Sequence, residues 1–316
     1  MMAPPATLAE LALDLPDHRS GKVRESWALP DGRRLIVTTD RISAFDRVIG
    51  TIPNKGQVLN ETAAWWFGRT NDLVANHLVS LPDPVAAVVV EATPLPVEVV
   101  VRGRLTGSTS TSLLPRYRAG ERVLYGHRLP DGLVDHAPLP EPLLTPTTKA
   151  HDGGHDEPVT VAEVVERGLV DRSLWAEVQK VAVGLFRRGE ELATEAGFVL
   201  ADTKYEFGLG PDGDLLLIDE VHTPDSSRYW DVETLDACLA EGRHPESYDK
   251  EPVRLALGRL GYRGDGPPPI LPDDVVADAS RRYVTLQERL TGVPFHPAAP
   301  PADQRLRVNL APLLES

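Results

Sequence analysis

The chain has one cysteine, Cys238, so no disulfide can close within it, and neither a disulfide scaffold nor a cysteine-rich metal site can organise the fold. A catalytic thiol would need a base brought to it in space; Cys238 is expected to be a small packed residue on a helix. No apolar run approaches the roughly 18 residues that a membrane-spanning helix needs. The N-terminus has no basic segment followed by an apolar core, so no secretory leader is expected and the protein is expected in the cytoplasm. Internal repeats and long low-complexity tracts are absent. Positive charge is in deficit: 33 basic against 47 acidic side chains leave a net charge of −14. That balance argues against nucleic acid or an anionic membrane as the main partner, though not against a locally basic pocket for a phosphorylated metabolite.

What is present is a globular composition: 316 residues, 41% hydrophobic and 25% charged, enough to bury a substantial core and divide into two lobes. The prolines gather in Pro267–Pro269 and Pro294–Pro301, which read as connector and peripheral tail.

The most informative stretch is ADTKYEFGLGPDGDLLLIDEVHTPDSSRYW, Ala201 to Trp230. It reads as a β-hairpin with charge where a core should be. Asp202, Lys204 and Glu206 alternate, so a strand points all three to one face. Gly210 to Gly213 supplies the turn, and Leu215 to Ile218 is a buried return strand. A two-residue loop, Asp212-Gly213, puts Glu206 directly opposite Asp219; a four-residue loop, Gly210 to Gly213, makes them diagonal neighbours. Either places both carboxylates on one face, where like charges repel. A positive group is expected between them: Lys204, or better a hard, oxygen-liganded cation such as Mg²⁺. A solvated acidic face is the plainer alternative. The loop that follows, with Asp225, Ser226, Ser227 and Arg228, suits an anion, because arginine offers a bidentate fork and serines donate hydrogen bonds. A type I turn capped by Asp225 or Ser226 is compatible with the same residues.

Earlier in the chain, Gly21-Lys22-Val23-Arg24 leads into a hairpin through Pro30-Asp31-Gly32. Glycine at a strand mouth lets backbone amides approach a ligand, and Lys22 and Arg24 bring charge, as in a lid over nucleotide phosphates. An ordinary hairpin with solvated basic residues fits equally well. Asn54-Lys55-Gly56 reads as a turn, with Asn60 capping a helix through Trp65, Trp66 and Phe67. Val97 to Leu105 is an apolar strand with Glu98 and Arg102 on one face, breaking into a Gly/Ser/Thr loop. Arg102 and Ser108 suit a phosphate or carboxylate; a Glu98–Arg102 ion pair is the structural alternative. Pro138 to Asp156 reads as a loop, and its His151, His155, Asp156 and Glu157 do not make a four-ligand zinc site. Thr160-Val161-Ala162-Glu163 is a capping box. Ser173 is expected to cap a long helix, Trp230–Ala240 and Asp249–Leu260 to be helical, and Val276, Ala279, Tyr283, Leu286 and Leu290 to form the stripe of a last amphipathic helix.

Together GKVR, TDRISAFD, NKG, VEVVVRGRLTGS, TPTTKA, GHDE, ADTKYEFG and DEVHTPDSSRYW, in this order, resemble the phosphoribosylaminoimidazole-succinocarboxamide synthase family, ATP-dependent ligases of purine biosynthesis, over residues 18 to 295. The resemblance implies a two-lobed α+β fold, ATP-grasp-like, with antiparallel sheets and flanking helices. It implies a β-rich nucleotide-lid lobe over 1–115, a central α+β lobe with the metal and substrate hairpin over 116–265, and a C-terminal helix and Pro-rich tail packing on both over 266–316. The implied reaction joins L-aspartate to the carboxylate of carboxyaminoimidazole ribonucleotide with ATP and Mg²⁺, by a monomer or homodimer acting on small molecules.

By the same resemblance, Gly21, Lys22, Val23 and Arg24 cover ATP phosphates, assisted by Lys204. Glu206 and Asp219 hold metal, with Glu98 and Asp156 supporting a further metal or the substrate. Arg102, Ser108, Asp202, Asp225, Ser226, Ser227 and Arg228 grip substrate, and Lys204, Asp202 and Arg228 form the catalytic group. The STSTS run after Gly107 and Thr147 depart from the family pattern. The alternative is a small-molecule, inositol-phosphate-like kinase on a related scaffold; a non-catalytic binding module is the third reading.

Overall fold

The computed structural model describes residues 7–108, 112–149 and 157–314. His151, His155 and Asp156, and with them one expected metal ligand, lie outside the described residues.

The chain begins with three antiparallel strands, β1 (Arg19–Ser20), β2 (Arg24–Ala28) and β3 (Arg33–Thr38). Gly32 turns the β2–β3 connection at φ 79°, a left-handed conformation that favours glycine. β4 (Arg41–Ala44) and β5 (Arg47–Thr51) make a separate hairpin. α1 follows over Lys55–Thr70, so Asn54-Lys55-Gly56 is a helix start where a turn was expected, and Asn60 lies inside the helix with its amide on the Pro84 carbonyl at 3.0 Å. Gly56 is required there: a Cβ would come within 2.4 Å of the Thr38 carbonyl, so only glycine lets the helix start press against the end of β3. β6 (Leu78–Asp83) and β7 (Ala86–Val90) complete a five-stranded sheet in the order β1-β2-β3-β7-β6.

β8 (Thr93–Arg104) opens the larger sheet, so this strand, N-terminal of the expected boundary at residue 115, pairs with the later half of the chain. After α2 (Leu113–Arg118) and a small hairpin of β9 (Val123–Leu124) and β10 (His127–Arg128), β11 (Pro138–Leu144) and β12 (Thr147–Thr148) both pair with β8. The segment expected as a loop from Pro138 is thus partly strand. Its prolines are tolerated because β11 is an edge, where missing N–H groups leave no ladder bond unmade.

α3 (Val161–Glu166) opens on the Thr160–Glu163 capping box as expected, whereas Asp171, not Ser173, is the N-cap residue of α4 (Arg172–Glu195). β13 (Phe198–Leu209), β14 (Leu215–Ile218) and β15 (Ser227–Asp231) finish the large sheet, in which β8 and β13 are central. Trp230 is therefore in a strand, and the helices after it begin later than expected: α5 (Val232–Ala240) and α6 (Glu251–Arg259). α7 (Asp273–Thr291) buries Ala279, Tyr283, Leu286 and Leu290 on the expected stripe.

The tail is not peripheral. Its helix α8 (Ala302–Leu314) buries Leu306 and Leu310 against Trp27, Leu35, Val37 and Val88 of the small sheet. The main core lies between α4 and the large sheet, where Trp175, Val178, Leu185 and Phe186 meet Val97, Val99 and Val101 of β8 and Tyr205 and Phe207 of β13. The alternation that buries those strand residues turns their neighbours Glu98, Lys204 and Glu206 to the opposite face. Among the described residues no helix is long and apolar enough to cross a membrane.

Candidate active site

β8 and β13 run antiparallel with Glu98 opposite Glu206 and Arg102 opposite Asp202. Facing glutamates would repel, and Lys204 resolves this by donating to Glu98 at 2.7 Å and to Glu206 at 2.5 Å. Lys149, at the end of β12, adds a second ion pair to Glu206. Burial alone would raise the Glu206 carboxyl, but Lys204 and Lys149 hold it well below the usual range. The same two acids keep Lys204 protonated against its own burial.

The register of the hairpin differs from both expectations. Leu209 pairs with Leu215 and Glu206 with Ile218, which leaves an odd, five-residue loop from Gly210 to Asp214 closed by Gly210 N–H on the Asp214 carbonyl at 2.9 Å. In a continued strand Asp219 would lie beside Tyr205, on the core side. It does not, because the strand ends at Ile218 and Asp219 adopts φ 66°, which turns its carboxylate into the cleft that Glu206 lines. Arg24, from the first residue of β2, meets it there at 2.5 Å and reaches Glu220 at 2.9 Å. Burial, with repulsion from Glu206 and Glu220, outweighs Arg24 and raises the Asp219 carboxyl to about 6.

Beside this group, Asp202 accepts from Arg228 at 2.6 Å and Arg102 at 3.3 Å; Arg102 also donates to Thr145 at 2.8 Å. Arg228 also faces Glu251 at 3.7 Å, so the two guanidinium groups are shared between two carboxylates. Ser108 bonds Glu251, which burial would raise but Arg228, Arg254 and Ser108 lower to about 2. Ser108 and Glu251 line a cavity of about 320 Å³ with Arg118, His136, Arg243 and His244.

Asp225 is engaged from within: Lys55 lies 2.9 Å away, Tyr283 donates at 2.8 Å and Lys250 stands at 3.8 Å. Lys55 is fully buried. Burial lowers the Lys250 ammonium to about 8, with Asp225 opposing the shift. Ser227 faces inward, sharing a hydrogen bond with Thr203 at 2.7 Å, while Ser226 packs its hydroxyl near Thr223. Behind β13, Tyr205 bonds Nε2 of His222, whose carbonyl accepts from Tyr229 at 2.6 Å; burial lowers the imidazole to about 3 and keeps it neutral.

Lys22, Val23, Arg24, Lys204, Glu206 and Asp219 thus line one cleft of about 450 Å³, with Asp46 and Lys250 also on its wall. Next to it, Ile36, Ala63, Phe67, Ala87 and Val89 line an apolar crevice of only about 20 Å³ that also touches Arg24 and Asp219. Lys55, Lys149, Glu220, Lys250 and Glu251 belong to this constellation and were not singled out in the sequence. For Lys55, Lys149 and Glu220 the only signal was position, inside the NKG, TPTTKA and DEVHTPDSSRYW segments, and no motif marked Lys250 or Glu251.

The donors fit Mg²⁺ of a particular kind. Among the described residues no group of three His, Cys, Asp or Glu side chains converges as a ready metal cage. Glu206 and Asp219 are hard oxygen donors, and Asp219, raised chiefly by burial and further by Glu206 and Glu220, would be relieved by a cation beside it. That suits a cation bound by one or two carboxylates and completed by substrate phosphates.

Residues 17–268 match the SAICAR synthetase family. A protein of Agrobacterium fabrum is 48% identical over 301 residues, 95% of each chain. The phosphoribosylaminoimidazole-succinocarboxamide synthase of Legionella pneumophila (strain Lens) is 42% identical over 92% of this chain and 93% of its own. Among solved structures, SAICAR synthase from Saccharomyces cerevisiae in complex with SAICAR superposes with a TM-score of 0.78 at 32% identity, covering 91% of this chain and 99% of the other. None of these relatives favours the kinase alternative. A match spanning both sheets and the cleft between them, with relatives this similar over nearly their whole length, means that the chain belongs to the SAICAR synthetase family.

Proposed function

We propose that this chain is an ATP-dependent ligase that joins the amino group of L-aspartate to the carboxylate of carboxyaminoimidazole ribonucleotide, releasing ADP, phosphate and SAICAR. The observation that carries the reading is the cleft in which Lys204 bridges Glu98 and Glu206 while Arg24 reaches Asp219 and Glu220.

Its parts suit successive tasks. The 450 Å³ cleft, with Lys22, Val23 and Arg24 on its wall, has room for a nucleotide and brings positive charge to its phosphates. Glu206 and Asp219 would hold Mg²⁺, which supplies charge neutralisation for phosphoryl transfer. Arg102 and Arg228, held in place by Asp202 and Glu251, offer guanidinium donors to the ribonucleotide phosphate. A carboxylate is a poor electrophile, so amide formation needs it activated. Its oxygen attacks the γ-phosphorus, ADP leaves, and an acyl phosphate results; the aspartate amine then attacks the acyl carbon, loses a proton and expels phosphate. Lys204 neutralises charge on the reacting oxygens, and no protein nucleophile is needed. Rate comes from positioning and electrostatics. Asp225 acts by holding Lys55, Lys250 and Tyr283 together. The same reading expects a cytoplasmic monomer or homodimer acting on small molecules.

The test is ADP formation with Mg-ATP and carboxyaminoimidazole ribonucleotide, with and without L-aspartate. ADP and SAICAR in equal amounts, only when all three substrates are present, is the expected result. Sustained ADP release without aspartate would return the kinase reading.

A further inference from the structure

We infer that Arg41, which faces no ligand, is the positioning residue that shapes the Gly21–Arg24 turn for phosphate. Arg41 opens β4, and its side chain is nearly buried beneath the turn. Its Nε donates to the Lys22 carbonyl at 3.0 Å, and Nη2 donates to the Gly21 carbonyl at 2.9 Å and, more weakly, to the Arg24 carbonyl at 3.4 Å. The remaining carbonyl, of Val23, is taken from the same side by Thr39, through its amide at 2.9 Å and its hydroxyl at 2.8 Å. All four carbonyls of the turn are therefore satisfied from within. Arg41 is itself fixed by the Ala9 carbonyl at 2.7 Å and by Glu25 at 2.6 Å.

The consequence follows from the planar trans peptide, in which N–H points opposite to the C=O of the same unit. Drawing the Gly21 and Lys22 carbonyls inward aims the amides of Lys22 and Val23 outward, and those residues line the cleft. Among the described residues neither amide has a backbone partner. Successive free amides of this kind form a concavity for an anion. Arg41 thus gives the turn two aimed donors without touching what they bind. A lysine at 41 would keep the charge but could not fork to three carbonyls.

This inference rests on the nucleotide reading of the cleft, and its test separates the two. ADP and adenosine binding are measured for wild type, Arg41→Lys, Arg41→Gln and the milder Thr39→Val, with thermal unfolding confirming fold. Amide ¹⁵N–¹H shifts of Lys22 and Val23 are recorded without nucleotide. The expected result is ADP affinity lowered about tenfold or more in both Arg41 variants, as loss of aimed hydrogen-bond donors entails. Adenosine affinity should stay within about twofold, since adenosine carries no phosphate for these amides to hold, and Thr39→Val should show the same split more weakly. Equal loss of adenosine and ADP, wild-type ADP affinity in Arg41→Gln, or full recovery in Arg41→Lys would overturn the inference, the last by assigning the effect to charge. If wild type binds no ADP, the nucleotide reading fails by itself. The amide shifts still decide on Arg41: unchanged Lys22 and Val23 signals in Arg41→Gln overturn it, and displaced ones support it.

Discussion

Ionised Asp219 carries an energetic cost that Arg24 and Lys204 offset only in part. Its carboxyl is raised to about 6 from 3.8, chiefly by burial. The folded state therefore holds this proton to higher pH than the unfolded chain does. Stability attached to the group is full below the ordinary value of 3.8 and is lost as pH rises from there through about 6, so at neutral pH the ionised acid is destabilising. Asparagine removes the charge and accepts φ 66° at least as readily. Asp219→Asn should abolish turnover yet unfold at the same or higher temperature than wild type at pH 7.5, by on the order of 1–2 kcal/mol, with the difference vanishing toward pH 4. Melting curves across that range with kcat in parallel check it; a melting temperature that falls with activity would make Asp219 structural. Residue chemistry on β8 and β13 was legible in the sequence because strand alternation fixes which side chains share a face. Lys55 was not, because a lysine becomes buried only when a partner such as Asp225 arrives from far along the chain.

At the scale of elements, the hairpin shows where alternation stops being enough. The face of Asp202, Lys204 and Glu206 was readable, but the register depended on a loop length that Gly210-Pro211-Asp212-Gly213 does not specify, and the odd loop is compensated by a backbone turn at Asp219 alone. A similar cost is concentrated in the β4–β5 hairpin. Ala44 pairs with Arg47, so Phe45 and Asp46 form a two-residue loop with φ of 52° and 61°. Loops of that shape favour Asn-Gly, and strain of this kind persists where function holds it. Asp46 lines the cleft and ion-pairs with Lys22 of the opposite turn. That pair is well exposed and worth little to stability. Asp46→Gly is thus expected to leave the melting temperature unchanged or slightly raised while lowering kcat/KM for ATP. A clear loss of stability with unaltered kinetics would show that the loop serves only folding.

Across the whole molecule, the two sheets were foreseeable in kind but not in their closure. The small sheet borrows Leu306 and Leu310 from α8, at the opposite end of the chain from Trp27 and Leu35. Nothing in a Pro-rich tail states which surface it will cover. Leu306→Ala removes a fully buried side chain and should cost about 2–5 kcal/mol. Because the lost packing lies in the small sheet, the variant should weaken ADP binding before ribonucleotide binding; equal weakening of both, or no loss of stability, would argue against α8 as the clamp of this lobe. The arrangement also sets an order of events at the ribosome. The strands around Trp27 emerge well before α8, the helix that seals them. Through most of synthesis, then, the nascent small lobe presents an uncovered apolar face, the kind of surface chaperones hold.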